Sequence, residues 1–434
     1  METLAYKFEQ NIPVLDSVDV LVVGAGPGGV SAAVMAARNG ARTMIVERYG
    51  CPGGMAFFGE VTPFMPNHVD GKTLDRPLFT DWCRRMHYYK TAEFKAAHPF
   101  NPNECCIKIT KEEAMLAMED LLLEAKVRML YHHTLLDVVM NGGDIEAAVF
   151  HSKSGLCAIK AKVFIDSTGD GDLAALAGAP VEFGNEDGYC QPMTTCFKME
   201  NVDKSRMPDK EGRNRLYEQA KADGILHCPR ENVLCFSMYE DDVMHFNTTR
   251  IVQKSAVSGI ELSEAEIEGR RQIREFIDFL RSRVPGFENA RIRSIASHVG
   301  VRESRRIRGI VYQTADDFIN AAKFPDGIAK IKYDIDIHNP SGTGTKIISM
   351  KPGEWYELRY GTLVPMNTEN LLMGCRAVSV DHALHSSSRV MPPICSIGQA
   401  AGMAASLCVQ RECRPAALPG EDVRKKLAEV GAWL

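Results

Sequence analysis

The segment from Val20 to Arg48, VLVVGAGPGGVSAAVMAARNGARTMIVER, restricts the possible folds of this chain more than any other stretch. It opens with an apolar run of the kind found in a parallel strand buried on both faces. The spacing G-x-G-x-x-G follows at Gly24, Gly26 and Gly29. The first glycine of this pattern allows a tight turn, the second lets the backbone approach a pyrophosphate, and the third lets a helix pack closely on the strand. An alanine-rich helix and a second strand complete the segment, so we predict a dinucleotide-binding βαβ unit.

The residues around this motif extend the prediction along the ligand. Glu47 ends the second strand about 20 positions after Gly24, the usual distance for the acid that holds ribose hydroxyls. A glycine pair follows soon afterwards and would let the backbone pass close to a part of the ligand beyond the adenosine, which a domain for NAD does not need. A glycine-rich turn without a ligand is the alternative interpretation. The predicted binding residues here are Gly24, Gly26, Pro27, Gly28, Gly29, Glu47, Arg48, Gly53, Gly54 and Met55.

The composition of the chain narrows its class and its partners. A length of 434 residues is too great for one ordinary core and predicts two closely joined domains. The net charge of -5 provides no basic surface for nucleic acid, and no apolar run reaches the roughly 18 residues of a membrane span. The N-terminal segment has no apolar stretch of the signal-peptide type. We therefore expect a cytoplasmic protein that binds neither nucleic acid nor a membrane.

The 13 cysteines show no C-x-x-C pair, and H-E-x-x-H is absent from the sequence. These patterns argue against a structural zinc, a disulfide framework and a dithiol redox centre, so no metal site is predicted. Cys51 lies near the first glycine loop, but it has no partner at the short spacing of a redox-active pair. A disulfide-reductase function is therefore not predicted.

Three segments differ in sequence pattern. Residues 1–181 contain the βαβ unit and several further strands, the last of which ends in STGDGD. Residues 182–295 carry more charge and are predicted to form a domain that covers the substrate, built on a mixed sheet. Residues 296–434 are predicted to complete that domain and to return to the first one. No second unit of strand, G-x-G-x-x-G and helix occurs, which argues against an internal NAD(P) domain.

Three more helices are expected at recognisable start signals. The patterns T-x-x-E at Thr110 and S-x-x-E at Ser263 predict capping boxes. Near the C-terminus, a strand and a loop precede a small-residue helix expected from about Ile397. Its small side chains would let the positive end of the helix approach a flat, bulky ligand. The predicted binding residues in this part are Gly374, Arg376, Gly398, Ala400, Ala401 and Gly402.

Several stretches between about residues 18 and 412 together resemble a known family. They include GGMAF, STGDGD, HVGVRESRRIRG, DIHNPSGTG, YELRYGTLVP, NLLMGCR and RVMPPICSIGQAAGMAA. They are similar to FAD-dependent oxidoreductases of the glutathione-reductase-like superfamily, and most of all to the broad group named simply FAD-dependent oxidoreductase. The resemblance implies an α/β fold with a Rossmann-like FAD-binding domain (a parallel sheet with helices and a β-meander), an inserted α+β substrate domain, and a tightly bound, non-covalent FAD. The cofactor contacts it adds are Leu135, Thr168, Gly169 and Asp170.

A flavin exchanges a hydride or single electrons, while the protein supplies orientation and proton transfer. His382 and His385 lie in the segment that leads to the small-residue helix, and they are predicted to move a proton because histidine titrates near neutral pH. Arg302 and Arg389 are predicted to fix a carboxylate or polarise a carbonyl. We therefore expect an oxidoreductase that transfers a hydride between a small polar organic substrate and FAD.

Other functions stay open at this point. A structural FAD-binding protein or an electron-transfer subunit would share the cofactor motifs, although iron–sulfur cysteine spacing is absent. A flavin monooxygenase lacks support from a second motif of the hydroxylase type. Gly361 and His385 stand where relatives often carry other residues, so no particular substrate is carried over to this chain. Tyr360 is a weaker candidate for a proton donor.

Overall fold

The computed structural model describes residues 11–103 and 108–434, so residues 1–10 of the N-terminal segment discussed above lie outside the described residues. The strands are β1 (Val14–Val23), β2 (Thr43–Val46), β3 (His68–Val69), β4 (Lys72–Thr73), β5 (Arg128–Leu130), β6 (Thr134–Asn141), β7 (Asp144–Ser152), β8 (Gly155–Asp166), β9 (Val181–Phe183), β10 (Phe197–Glu200), β11 (Cys235–Ser237), β12 (Met244–Phe246), β13 (Arg291–Ile295), β14 (Arg305–Ile307), β15 (Gly327–Ile331), β16 (Ile335–His338), β17 (Thr345–Ile348), β18 (Tyr356–Arg359) and β19 (Leu371–Met373). The helices are α1 (Pro27–Arg38), α2 (Gly54–Phe57), α3 (Leu78–Tyr88), α4 (Ala92–Ala97), α5 (Lys111–Glu124), α6 (Asp172–Leu176), α7 (Lys210–Ala222), α8 (Gly259–Arg283), α9 (Ala315–Ile319), α10 (His382–Ser388), α11 (Met391–Arg411) and α12 (Gly420–Glu429).

The largest sheet has seven strands and is built around β1. Its order is β5-β2-β1-β8-β7-β6, and β19 pairs with β8. β5, β2, β1, β8 and β19 run parallel, whereas β7 and β6 continue from β8 as an antiparallel meander. Val20, Leu21 and Val22 of β1 are fully buried, as expected for a central parallel strand. The prediction of a Rossmann-like domain with a β-meander is confirmed.

A second sheet is formed by residues between 197 and 295. Its four strands have the order β11-β12-β10-β13, and each neighbouring pair is antiparallel, whereas a mixed sheet is predicted. Phe197 and Phe246 stack on this sheet with ring centroids 4.7 Å apart, and Phe276 of α8 packs against them. Tyr217 of α7 stacks on Phe276 in the same core. The α+β unit therefore has its own apolar core beside the parallel sheet.

Two helices start differently from the sequence prediction. α8 begins at Gly259, about one turn early, because the hydroxyl of Ser258 rather than Ser263 caps it by accepting from the backbone N–H of Glu261 at 3.3 Å. α11 begins at Met391 instead of near Ile397. The two prolines that follow Met391 occupy the first helical turn, where a missing N–H is tolerated.

α5 starts as predicted, but its capping box does not form. The helix begins at Lys111, and the side chain of Thr110 makes no capping hydrogen bond. The Thr110 hydroxyl instead accepts from Nζ of Lys90 at 3.4 Å, and Glu113 forms an ion pair with the same lysine at 2.6 Å. Both side chains of the predicted capping box therefore interact with Lys90 instead of with the start of the helix.

α11 is the central helix of the core. By length and composition it is apolar enough to cross a membrane, but 94% of its most apolar stretch is buried inside the protein. Its glycines lie against the backbone of α1. A Cβ added at Gly398 would come within 2.0 Å of the carbonyl oxygen of Gly28, and one at Gly402 within 2.1 Å of that of Ala32. The small residues of α11 therefore allow two helices to touch through their backbones.

Candidate active site

A cavity of about 1040 Å³ lies at the carboxyl ends of β1, β2 and β8 and extends to residues of the antiparallel sheet unit. Val23, Val46 and Ser167 border it from the parallel sheet, and Phe236 and Asn247 border it from the other unit. The carboxyl edge of a parallel sheet is where open α/β folds bind their ligands. The volume is at the upper limit for a drug-sized ligand, so a larger ligand or two ligands together have room.

The part of the cavity that we call the glycine end is lined by Gly24, Gly26, Pro27 and Gly28. Gly24 has a φ of +99°, and a Cβ there would lie 2.3 Å from the carbonyl oxygen of Ser167. Gly26 is the N-cap of α1, and the nearest atom to its Cβ position is the Cα of Gly54 at 3.7 Å. The N-terminus of α1 therefore borders the cavity, where unpaired N–H groups and the helix dipole favour an anion.

Three glycines predicted as binding residues lie behind this surface and do not line the cavity. A Cβ on Gly29 would lie 1.9 Å from the carbonyl oxygen of Gly24, and a Cβ on Gly28 would lie 2.1 Å from that of Gly374. Gly53 has a φ of +141°, a conformation that favours glycine. Gly29, Gly53 and Gly374 therefore shape the loop and its packing, while Gly24, Gly26 and Gly28 can meet a ligand.

Glu47 borders the glycine end at the end of β2 and is 7% exposed. Its two carboxylate oxygens accept hydrogen bonds from the backbone N–H groups of Ala25 at 2.8 Å and Tyr49 at 3.1 Å. Arg48 also lines the cavity, and its guanidinium lies 4.8 Å from the centre of the Tyr49 ring. Glu47 thus ties the glycine loop to the segment after β2, a positioning function in addition to its predicted contact with ribose.

The second predicted binding segment follows β8 and reaches the same cavity. Asp166 holds it in place by accepting from the N–H and hydroxyl of Thr168, at 2.9 and 2.7 Å, and from the N–H of Ala174 at 2.9 Å. Burial raises the pKa of Asp166 to about 6, although these hydrogen bonds act to lower it. Asp170 forms an ion pair with Arg376. The predicted residues of this region that line the cavity are Leu135, Thr168, Gly169, Asp170 and Arg376.

The α11 small residues that are predicted to contact a ligand lie away from the cavity. None of Gly398, Ala400, Ala401 and Gly402 lines the cavity, because these residues are buried against α1 and the core. The first turn of the same helix does border the cavity, through Met391 and Ile394, together with Val390 before it. Since α11 starts earlier than predicted, its N-terminus approaches the cavity at Met391.

Another part of the cavity, which we call the arginine end, is lined by Arg230, Arg302 and Arg389. Arg302 donates to the carbonyl oxygen of Pro192 at 2.7 Å and to the hydroxyl of Thr194 at 2.6 Å. Arg389 is the C-cap of α10 and donates to Oε1 of Gln191 at 3.4 Å. Its Nε is buried without a partner. The predicted pair Arg302 and Arg389 is therefore brought together on one wall.

Tyr333, Asp336 and His338 form a polar group that also lines the arginine end. The Tyr333 hydroxyl donates to Oδ2 of Asp336 at 3.0 Å, and Nε2 of His338 lies 3.6 Å from the same oxygen. Nδ1 of His338 accepts from Nη2 of Arg250 at 3.1 Å, because a guanidinium only donates. The ring proton is therefore on Nε2. Burial and the nearby arginines lower the pKa of His338, and burial raises that of Tyr333, so both are neutral near pH 7.

The two histidines predicted to move a proton do not line the cavity. Asp381 caps α10 and sets the orientation of its first turn, in which Nδ1 of His382 lies 2.9 Å from Oε1 of Glu303. His385 has no exposed surface, and both ring nitrogens lack a hydrogen-bond partner. Burial lowers its pKa to about 3. The structure thus places His382 and His385 beside Glu303 rather than in the cavity lining.

These histidines belong to a buried charge cluster next to the arginine end. Glu303 is fully buried and forms an ion pair with Arg306. Burial acts to raise the pKa of Glu303, but the hydrogen bond with His382 and the neighbouring His385 and Arg306 outweigh it and bring the pKa to about 2. Glu303 also accepts from the N–H of Gln191, the residue that contacts Arg389. The cluster therefore positions the wall on which Arg389 lies.

Comparison with known proteins identifies the family. A family model described as FAD dependent oxidoreductase matches residues 19–427. The chain belongs to this family. It is an oxidoreductase with FAD as its cofactor, as the sequence predicts. No curated protein sequence matches the chain significantly.

Solved structures of low sequence identity resemble this flavoenzyme. One is a geranylgeranyl bacteriochlorophyll reductase-like protein from Thermoplasma acidophilum, with 13% identity, a TM-score of 0.47, and coverage of 95% of this chain and 84% of that one. The myxobacterial chondrochloren halogenase CndH has 14% identity and a TM-score of 0.46, covering 95% and 78%. The p-nitrophenol 4-monooxygenase PnpA from Pseudomonas putida has 12% identity and a TM-score of 0.40, covering 68% and 70%.

The glycine end of the flavoenzyme fits FAD. The Cβ position of Gly26 has no atom closer than 3.7 Å, which leaves room for a ligand to approach the backbone there. The start of α1, Glu47 and the segment 168–170 meet at this one end of the cavity. Helix-terminal N–H groups suit a pyrophosphate, and a carboxylate suits ribose hydroxyls. These groups would hold FAD, which supplies hydride exchange when bound.

Four functional candidates of the arginine end were not predicted as site residues: Arg230, Tyr333, Asp336 and His338. Asp336 and His338 lie in DIHNPSGTG, one of the stretches that resemble the family, so a signal was present there. Arg230 and Tyr333 stand in no recognisable motif. Their role depends on how distant segments meet in three dimensions, which local spacing does not encode.

Proposed function

We propose that this FAD-dependent oxidoreductase transfers a hydride between FAD held at the glycine end and a small polar organic substrate held at the arginine end. The observation that carries the proposal is that one cavity joins the two ends. A backbone surface suited to a dinucleotide thus continues into a surface lined by Arg302, Arg389, Tyr333 and His338. The composition of the chain favours a cytoplasmic location for this reaction.

Within this proposal, Tyr333, Asp336 and His338 replace His382 and His385 as the groups that handle the proton. Tyr333 and His338 are neutral donors near pH 7, and both lie by the same oxygen of Asp336. A substrate hydroxyl at the arginine end would donate to the Tyr333 oxygen while the Tyr333 hydroxyl donates to Asp336. The proton would then pass from the substrate to Asp336 through the Tyr333 hydroxyl as the hydride leaves the substrate carbon. A positioned acid or base of this kind contributes about 10²–10⁴-fold to a rate.

The first test is the visible spectrum of the purified protein, recorded without oxygen during additions of hydroxy acids, sugars and unsaturated acids. We expect a flavin band that one class of compound bleaches in proportion to the amount added, since a dehydrogenation substrate passes its hydride to FAD. For the reverse direction, the protein is first reduced with dithionite, and return of the band on addition of an unsaturated or carbonyl compound is the expected signal.

The outcomes separate the proposal from its alternative. A flavin band that no compound changes in either direction would favour a protein that binds FAD structurally. Absence of the band after incubation with FAD would contradict the assignment of the glycine end itself.

A further inference from the structure

We infer that the arginine end binds a substrate with two carboxylate groups. The inference rests on the proposed function and makes its substrate class specific. It follows from an excess of positive charge in the lining of the cavity, which contains three arginines but, besides the Glu231 that pairs with Arg250, only one nearby carboxylate, Asp336. This carboxylate already accepts a hydrogen bond from Tyr333.

The partners of the three arginines are neutral. Arg302 donates to a carbonyl oxygen, a hydroxyl and the amide oxygen of Asn247, the last at 3.4 Å. Arg389 donates to an amide oxygen and keeps one buried N–H unpaired. Arg230 is 3% exposed, and its Nε donates to the amide oxygen of Asn232 at 3.5 Å. In residues 11–103 and 108–434, none of the three forms an ion pair.

The charges at this end leave a surplus of two. Arg250 is compensated by Glu231, with Nη1 and Oε2 3.1 Å apart. Of the other carboxylates, only Asp336 lines the arginine end, and it accepts from Tyr333. His338 is neutral. Three guanidinium groups against one carboxylate therefore leave two positive charges for a ligand to balance.

Buried cations without an ionic partner are unfavourable. Burial and the charges of Arg389 and Arg230 lower the pKa of Arg302 to about 9. Proteins normally avoid such an arrangement by pairing the charge, since an ion taken out of water without a partner loses several kcal/mol of solvation. A dianion placed among these groups would supply the missing partners.

The arrangement of the arginines favours two carboxylates over one compact dianion such as a phosphate. Arg230 comes from the segment before β11, Arg302 from the segment after β13, and Arg389 from the end of α10. The positive charge thus comes from side chains of three different segments rather than from one backbone nest. Planar guanidinium groups bind carboxylates through two parallel hydrogen bonds, so several independent guanidinium groups suit the two carboxylates of a short diacid.

The test measures binding by calorimetry to the FAD-loaded protein. The probes are malonate, succinate and glutarate, each compared with its diamide, and glycerol phosphate as the phosphate probe. We expect one diacid to bind at least ten-fold more tightly than its own diamide and than glycerol phosphate. Equal binding of every diacid and its diamide would overturn the inference, and so would preferred binding of glycerol phosphate.

Variants show whether the binding occurs at these arginines. Arg302→Gln and Arg230→Gln should each weaken the preferred diacid at least ten-fold without loss of FAD. Arg291→Gln is the matched control, because this arginine lies on β13, is 73% exposed and pairs with Glu200 outside the cavity. Undiminished diacid binding in both cavity variants would overturn the inference. FAD content and substrate-dependent bleaching are recorded for each protein. A failure of the proposed function is seen as flavin that is missing or that no compound bleaches or reoxidises, whereas a failure of this inference leaves a bound, reactive flavin without a preference for diacids.

Discussion

The two ends of the cavity recognise a ligand by different means. At the glycine end, a loop and a helix start present backbone atoms, and the position of Gly26 is open where a side chain would otherwise stand. At the arginine end, the long side chains of Arg230, Arg302 and Arg389 come from three separate segments of the chain. We therefore expect added atoms to impair ligand binding at the glycine end, and removed atoms to impair function at the arginine end.

Adding atoms at Gly26 should abolish cofactor binding while the fold persists. Gly26 has a φ of -75°, which other residues adopt, and its Cβ position is 3.7 Å from the nearest atom, so Gly26→Val folds but fills the space that a pyrophosphate would use. We expect FAD content below detection, measured from the flavin absorbance after reconstitution, with an unchanged circular dichroism spectrum. Full flavin occupancy in this variant would contradict the assignment of the glycine end as the FAD site.

Removing one oxygen at the arginine end should leave FAD bound and slow the reaction. Tyr333→Phe deletes the hydroxyl that contacts Asp336, so we expect the rate of substrate-dependent flavin bleaching to fall on the order of 10²-fold or more. Tyr312→Phe is the control, because its hydroxyl donates to Glu182 outside the cavity lining. Equal rates for both variants and the unmodified protein would remove Tyr333 from proton transfer.

The packing behind the glycine end is also intolerant of added atoms. A Cβ at Gly398 would lie 2.0 Å from the backbone oxygen of Gly28 in α1. This oxygen can move away only if the whole helix moves. We expect Gly398→Ala to lower the free energy of unfolding by about 3 kcal/mol, measured with urea. Gly342→Ala is the control, since nothing lies within 4 Å of its Cβ position. If Gly398→Ala lowers the free energy of unfolding no more than the control does, then α1 and α11 can move apart easily.

The support behind the arginine end should be sensitive to acid. The pKa of His385 is about 3 in the folded protein against 6.5 in the unfolded chain, so below pH 6.5 the unfolded chain binds a proton that the folded protein does not. Stability is therefore lost as the pH falls from 6.5 toward 3, by about 2 kcal/mol at pH 5 for this one group. Between pH 7 and pH 5, the free energy of unfolding measured with urea should therefore fall by about 2 kcal/mol less in His385→Gln than in the unmodified protein. His151→Gln, at an exposed position, should follow the unmodified protein, and an identical slope in both variants would contradict the assignment.

The sequence allowed the glycine end to be predicted because its information is local. Strand, glycine spacing, helix and Glu47 follow one another within one βαβ unit, and the resulting contacts are determined by that order. The sequence does not decide what the small residues of α11 contact, because a small-residue helix face suits a ligand and a neighbouring helix equally well. In the structure Gly398 lies against the backbone of Gly28.

The arginine end could be predicted only in part, for a different physical reason. Arg302 and Arg389 are predicted as site residues because they are cations in stretches that resemble the family, and both line the cavity. His385 was placed there because it is close to Arg389 in sequence, but α10 turns its side chain into the buried cluster around Glu303. Arg230 reaches the site from the antiparallel unit, and such convergence follows from tertiary structure alone.

The contact between α1 and α11 also has a consequence for the order of events during synthesis. The cofactor loop and α1 are synthesised long before α11, the helix that packs against α1. Long-range contacts of this kind form late, and chains that await them expose apolar surface in the meantime. The nascent chain therefore cannot complete the packing behind its cofactor loop until the ribosome has made α11.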